Sequence, residues 1–205
     1  MSVTTSPPEP SALTSLISAS GSGSDPVSAL TTQILHNLQH QHNWTSLRVH
    51  EPSKPTPPSS EQQPPPTPLL SGIPPHRIYT HPDEQLYLLE KGLRDDDLLP
   101  ERTFVLPTAQ GQSWSLRKLA QVFDSLPETD EELQTLAGRN DVDGAAKDEQ
   151  TIKLAEYYER REQARATKEW GGKRLLLAMV DKGKGGDGTV VYYVLQEGTV
   201  KPRQN

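Results

Sequence analysis

KRLLLAMVDKGKGGDGTVVYYVLQEGTVKPRQN, residues 173–205, holds the most strand-like sequence in the chain. Lys173 to Val180 is almost unbroken apolar, the pattern of a strand covered on both faces. Thr189 to Leu195 is rich in β-branched and aromatic residues. Asp181 to Gly188 carries four glycines between them, so the two runs read as a β-hairpin, and Gly198 permits another turn before Val200. Val190, Val191, Tyr192, Tyr193, Val194 and Leu195 put large groups on both faces. Such a strand needs cover on both sides. At a sheet edge its free backbone groups also invite a partner's strand. The rest of the chain is ill supplied to cover it. Of 205 residues only 32% are hydrophobic, and nineteen are proline. The expectation is that another polypeptide completes this ribbon.

Working back from the ribbon, Lys147 to Trp170 is the most helix-prone stretch. Glu149–Lys153 and Glu156–Arg160 are favourable (i, i+4) pairs. Leu154, Tyr157, Tyr158 and Trp170 supply its contact side, and Gly171-Gly172 breaks it. Residues 128–150 are acidic and glycine-spotted and read as a mobile insertion. RTFVL, residues 102–106, reads as a buried strand stopped by Pro107. Ser113 or Ser115 then caps a helix with Leu116, Leu119, Ala120 and Phe123 inward, ended by Pro127. Arg77-Ile78-Tyr79 reads as a short strand. Thr80 caps the next helix, with Asp83 three residues on and Leu86, Leu89 and Leu93 along one face. Gly92 is its terminator.

Residues 51–75 are dominated by proline, which removes donors and fixes φ. They read as a flexible, partly polyproline-II linker. Trp44 to His50 reads as a strand with Thr45, Leu47 and Val49 on one face. Asp25-Pro26 starts an amphipathic helix over residues 26–41, carrying Leu30, Ile34 and Leu38 at spacing four. Residues 1–24 read as a disordered Ser/Thr/Pro-rich tail. The whole is a mixed α/β (α+β) fold: one domain over residues 25–205, with a largely antiparallel sheet flanked by helices and a C-terminal hairpin.

Composition narrows the function. There is no cysteine, which excludes disulfides, zinc–cysteine sites and thiol chemistry and points to a reducing compartment. No apolar run approaches the roughly 18 residues of a membrane span. The tail lacks the basic start and long apolar centre of a signal peptide. A formal charge of −6 and a mean hydropathy of −0.70 argue against a strongly basic nucleic-acid binder, though not against a local basic patch.

The motifs that carry chemistry elsewhere are incomplete here. DKGKGGDGT has no Gly-Lys before Ser or Thr, and a strand rather than a helix follows, so the phosphate-cradling element is missing. His36, His40 and His42 lack the further ligands of a zinc site, and no metal or cofactor is expected. Asp95-Asp96-Asp97 reads as a solvated turn. Metal-independent RNA cleavage needs a base, an acid and a cation on one phosphodiester. Every histidine lies at or before His81, so an active ribonuclease would have to recruit His76 or His81 from the middle of the chain; the set Tyr79, His81 and Lys173 is the candidate.

Three blocks, HPDEQLYLLEKGL, RTFVLPTAQGQSWSLRKLAQVFDSLP and KRLLLAMVD with GTVVYYVLQEGTVKPRQN, together resemble the fungal form of the small structural subunit, subunit fifteen, of the tRNA-splicing endonuclease. The resemblance runs from about Pro26 to Asn205. It implies a non-catalytic member of a nuclear heterotetramer of two catalytic and two structural subunits, which removes introns from precursor tRNA. It implies pairing through side-by-side terminal strands, here Val190 to Leu195. It also implies a docking loop that enters a pocket on a catalytic subunit of the opposite pair. That loop is acidic in the family; here Asp181 and Asp187 stand beside Lys182 and Lys184. The catalytic subunits carry a tyrosine–histidine–lysine triad. Lys173 and Arg174 echo the lysine's position and are the candidates for RNA contact, whereas the triad histidine is absent.

Two rival expectations stand beside this one. The chain could act alone as the ribonuclease just described, or as an adaptor whose segment Pro55–Pro68 binds an aromatic-lined domain. An apolar terminal strand without its partner is also expected to pair with its own copy, giving a homodimer in isolation.

Overall fold

The computed structural model describes residues 10–19, 26–52, 67–126, 145–181, 188–197 and 199–202. Among them are five helices, α1 (Ala12–Ala19), α2 (Pro26–His40), α3 (Pro82–Lys91), α4 (Leu116–Ser125) and α5 (Ala145–Thr167). Six strands accompany them: β1 (Thr45–His50), β2 (Leu69–Ile73), β3 (Thr103–Ala109), β4 (Arg174–Val180), β5 (Val190–Gln196) and β6 (Thr199–Pro202). The strands lie in one sheet in chain order, β1 to β6. Only β3 and β4 run parallel, joined by the crossover that carries α4 and α5. The mixed, largely antiparallel sheet with its C-terminal hairpin is the fold expected from sequence.

Alternation along the strands supplies two cores. On one face Leu70, Val105, Leu176, Ala178, Tyr192 and Val194 meet Leu30, Ile34 and Leu38 of α2. On the other, Leu69, Leu106, Leu175 and Leu195 meet Val122 of α4 and Leu126, which caps its C-terminus. A third core lies between α3 and α5, where Leu88, Leu93 and Leu98 pack on Tyr157, Ala164 and Trp170.

The structure departs from the sequence reading in several places. Arg77-Ile78-Tyr79 is not a strand; LLSGI at 69–73 is, and it extends the sheet into the expected linker. β3 continues through Pro107, which pairs with Ala178. Proline is tolerated there because β2 reaches β3 only at Thr103–Val105, so beyond it one edge of β3 carries no ladder that a missing donor could break. The N-cap of α3 is His81, not Thr80, with Glu84 completing the capping box. Its buried face carries Glu84 and Leu88, while Leu86 and Leu89 are exposed. Ser115 caps α4, and of the expected inward residues Leu119 and Phe123 do pack on the core beside the buried Val122 and Leu126, whereas Ala120 is exposed and Leu116 is 86% exposed. Residues 12–19 of the expected tail form a helix with no buried side chain. Residues 127–144, most of the expected insertion, lie outside the described residues, and 145–150 belong to α5.

Gly72 shows how closely β1 and β2 meet. A Cβ there would stand 2.7 Å from Leu47 Cδ2, 3.0 Å from Trp44 Cε3 and 3.3 Å from the Thr45 carbonyl. Gly72→Ala is therefore expected to cost about 1–3 kcal/mol by overpacking, read as a lower urea midpoint at unchanged slope.

Candidate functional site

The hairpin is built as its sequence dictates. β4 and β5 pair in register from Arg174↔Gln196 to Val180↔Val190. β5 is not an edge strand, since β6 pairs with it from Tyr193 to Gln196. The six expected interface residues divide. Tyr192, Val194 and Leu195 are buried by the chain's own α2 and α4 cores, and the Tyr192 hydroxyl donates to Asn37 Oδ1 at 2.6 Å. Val190 and Tyr193 are half-buried, and Val191 is 42% exposed.

The uncovered part is a face rather than an edge. α4 closes over Leu175 and Leu195. The register sets Leu177 opposite Tyr193 and Met179 opposite Val191 on that same face, and none of these four is buried. Gln110, Asp181 and Thr189 rim the groove beside Met179, Val191 and Tyr193. The expected docking loop starts at the half-buried Asp181; Lys182, Lys184 and Asp187 lie outside the described residues. At the loop's far end Gln33 of α2 donates to the Gly188 carbonyl at 3.2 Å.

Lys173 and Arg174 stand next to each other and do different things. The Lys173 ammonium donates to the carbonyls of Leu126 at 2.9 Å and Phe123 at 3.3 Å, a cation closing the C-terminus of α4. Arg174 lies over the Tyr79 ring at 5.2 Å and donates to the carbonyls of Tyr79 and Trp170 at 3.4 and 3.5 Å. His81, the third group of the ribonuclease reading, accepts from the Asp83 amide at 3.3 Å as a helix cap. Tyr79, His81 and Lys173 are thus each engaged in a structural contact.

A polar cluster that apolar periodicity does not register lies beside Arg174. Glu84, 1% exposed, receives Arg77 Nη1 at 3.0 Å and the Tyr157 hydroxyl at 2.6 Å on the same oxygen. Arg161 Nε and Arg174 Nη2 approach it at 3.8 Å. Glu101 joins Arg77 and also receives Arg161 Nη1 at 2.5 Å. Burial on its own would raise both carboxyls, but the surrounding guanidiniums reverse this. Glu84 is lowered, and Glu101 is held at about 2, chiefly by Arg161 and Arg77. Burial raises the Tyr157 hydroxyl, and Glu84 adds to the rise. The sequence signal that could have found this cluster is an acidic residue on the inward face of α3.

The remaining candidates have local roles. The His36 and His40 rings lie 4.4 Å apart, and His42 meets Tyr192 edge-on at 5.2 Å. Among the described residues no group of three or more His, Asp or Glu is placed to hold a metal ion. Asp97 accepts from the Arg94 amide and from Gln150, and Asp95 accepts from Thr80. No helix among the described residues is long and apolar enough to cross a membrane.

Comparison with known proteins follows the same outline. A family model described as Sen15 protein matches residues 33–146 and 144–205. Over 207 aligned residues the chain is 34% identical to the Neurospora crassa protein "Probable tRNA-splicing endonuclease subunit tsp-1", covering all of this chain and 77% of that protein.

Proposed function

Since the chain belongs to the Sen15 protein family and resembles a tRNA-splicing endonuclease subunit over its whole length, we propose that it serves such a complex as a non-catalytic structural subunit. It joins a catalytic subunit through the C-terminal hairpin, and the assembly cleaves precursor tRNA in the nucleus. The observation that carries this reading is the half-covered sheet face formed by Leu177, Met179, Val191 and Tyr193. An apolar face of this kind, rimmed by Gln110, Asp181 and Thr189, fits a protein partner. The structural contacts of His81 and Lys173 support the non-catalytic part: His81 Nδ1 accepts a helix-cap amide, and the Lys173 ammonium is spent on the carbonyls that end α4.

The test must spare the core. Truncation after Gly188 removes β5, and with it Tyr192, Val194 and Leu195 from both cores, so it would unfold the chain rather than probe an interface. Val191→Asp alters only an exposed position. Co-purified catalytic subunit is expected to fall at least about tenfold, as a buried unpaired charge demands. Leu86→Asp on α3, also an exposed position, is expected to leave it unchanged. Equal recovery of the partner by wild type and Val191→Asp would sink the proposed interface.

A further inference from the structure

The overall negative charge leaves room for a local basic patch, and the β1–β3 margin of the sheet supplies one. β1 lies at the edge of the sheet among the described residues. Its register sets Arg48 opposite Ser71, and β2 sets Ser71 opposite Phe104, so the three share one row and one face. His50 stands two residues beyond Arg48, on the same face. Arg102 reaches that face from just before β3. Its Nη1 donates to the Ser46 carbonyl at 2.9 Å and to the Ser71 hydroxyl at 3.2 Å. Ser71 is 0% exposed, and its hydroxyl also meets His50 Nε2 at 2.8 Å. The His50 ring lies 5.6 Å from that of Phe104.

Two features hold the cations in place. Both acceptors of Arg102 Nη1 are neutral oxygens, so they fix its position without cancelling its charge. The ladder slips between Thr45 and Arg48, and Ser46 holds φ 49 within the slip. A bulge re-aims the side chain that follows it, and Arg102 pins this one through the Ser46 carbonyl. Arg48 is exposed, and His50 and Phe104 are half-buried on the same face. Guanidinium forks suit phosphate oxygens, and an aromatic ring beside them suits an unpaired base. An acidic peptide would answer the charge and leave the rings without a role. We propose that this margin binds single-stranded RNA, with Arg48 and Arg102 on backbone phosphates and a base against the His50–Phe104 pair. The choice of RNA rests on the endonuclease-subunit reading above; the basic margin itself does not.

The test uses the full chain and a fluorescently labelled twelve-nucleotide single-stranded RNA, followed by anisotropy over a range of salt. Arg48→Gln is expected to weaken binding about three- to tenfold and to lower the salt slope by about 0.7, the share of one single-strand phosphate. Arg48→Lys is expected to keep the slope. Arg48 is exposed and belongs to neither sheet core, so both variants should unfold at the wild-type urea midpoint. Phe104→Leu, its folding checked in the same way, is expected to weaken binding at least about fivefold at unchanged slope. Arg94→Gln, beyond the end of α3, removes an exposed charge elsewhere and is expected to alter neither quantity. Arg48→Gln binding with wild-type affinity and slope overturns the proposal, as does an equal loss in Arg94→Gln. A twelve-residue polyglutamate peptide that binds as tightly as the RNA, with the same loss in Arg48→Gln, overturns the RNA assignment in favour of an acidic protein segment. Arg48→Gln is further expected to co-purify with catalytic subunit as well as wild type does. Failure of the wild-type chain to co-purify would count against the subunit reading alone, while the RNA titration still decides this proposal.

Discussion

Glu84→Ala is expected to cost about 3–5 kcal/mol of folding stability, the penalty for breaking a buried pair and leaving its partners charged. The carboxylate is 1% exposed and engages Arg77, Tyr157 and the His81 amide while facing Arg161 and Arg174. Removal therefore leaves Arg77 with Glu101 as its one remaining carboxylate and leaves the Tyr157 hydroxyl without its acceptor. Glu84→Gln keeps an acceptor for Tyr157 and is expected to lose less. Denaturant unfolding checks the order wild type, Gln, Ala; an alanine variant within about 1 kcal/mol of wild type would refute the role given to the cluster. Acid has the same target. Both glutamates titrate lower in the folded chain than their ordinary 4.5, Glu101 at about 2. The unfolded chain therefore takes up protons first. Their stabilising contribution is complete above pH 4.5 and is lost as pH falls from there toward 2. Stability of the Glu84→Ala variant should fall less over that window.

Trp170→Ala is expected to cost a further large amount, about 3–5 kcal/mol. The indole is 5% exposed and stacks on Tyr157 at 6.2 Å with the planes 19° apart. Tyr87 lies 5.8 Å from it, and the Arg160 guanidinium 5.9 Å. Arg160 is itself fixed by Glu169 at 2.7 Å. The side chain is thus the keystone between the end of α5 and the face of α3. Hydrogen exchange is the sensitive readout: amides of α3 and α5 should lose protection before those of β4 and β5. Trp170→Phe should recover much of the loss. Uniform loss of protection across the sheet would mean that the α3–α5 core is not a separate unit.

Where apolar pattern and position agree, the sequence is transparent. α2 carries Leu30, Ile34 and Leu38 at spacing four, and all three are buried. The hairpin was legible because β4 and β5 are dense in β-branched, aromatic and leucine residues. β2 was hidden for the opposite reason. It has five residues, two of them Ser71 and Gly72, and follows a proline tract. Only its place between β1 and β3 makes it a strand. α3 misled because leucine spacing chose Leu86 and Leu89, whereas a carboxylate and Leu88 point inward. A buried glutamate is favourable only with its cations, and these stand at Arg77, Arg161 and Arg174, separations no local pattern reads. The same blindness explains Glu156. It was expected to pair with Arg160 but takes Lys91 of α3 at 2.6 Å, while Glu149 does pair with Lys153 at 2.9 Å. The interface expectation met a subtler limit: β5 does show large groups on both faces, but its own chain hides half of them, and which half depends on where α4 stops.

The parallel junction of β3 and β4 has a consequence for synthesis. Residues 110–173 separate the two strands, and the centre of the sheet cannot close until they and β4 have left the ribosome. At about 5–20 residues per second that interval is roughly 4–14 s. Throughout it β1, β2 and β3 form a nascent meander whose exposed flank at Val105–Ala109 waits for a mate made later. A chaperone shielding that flank, or a fast decoding rate across residues 110–180, would decide how much of each translated chain reaches its native form.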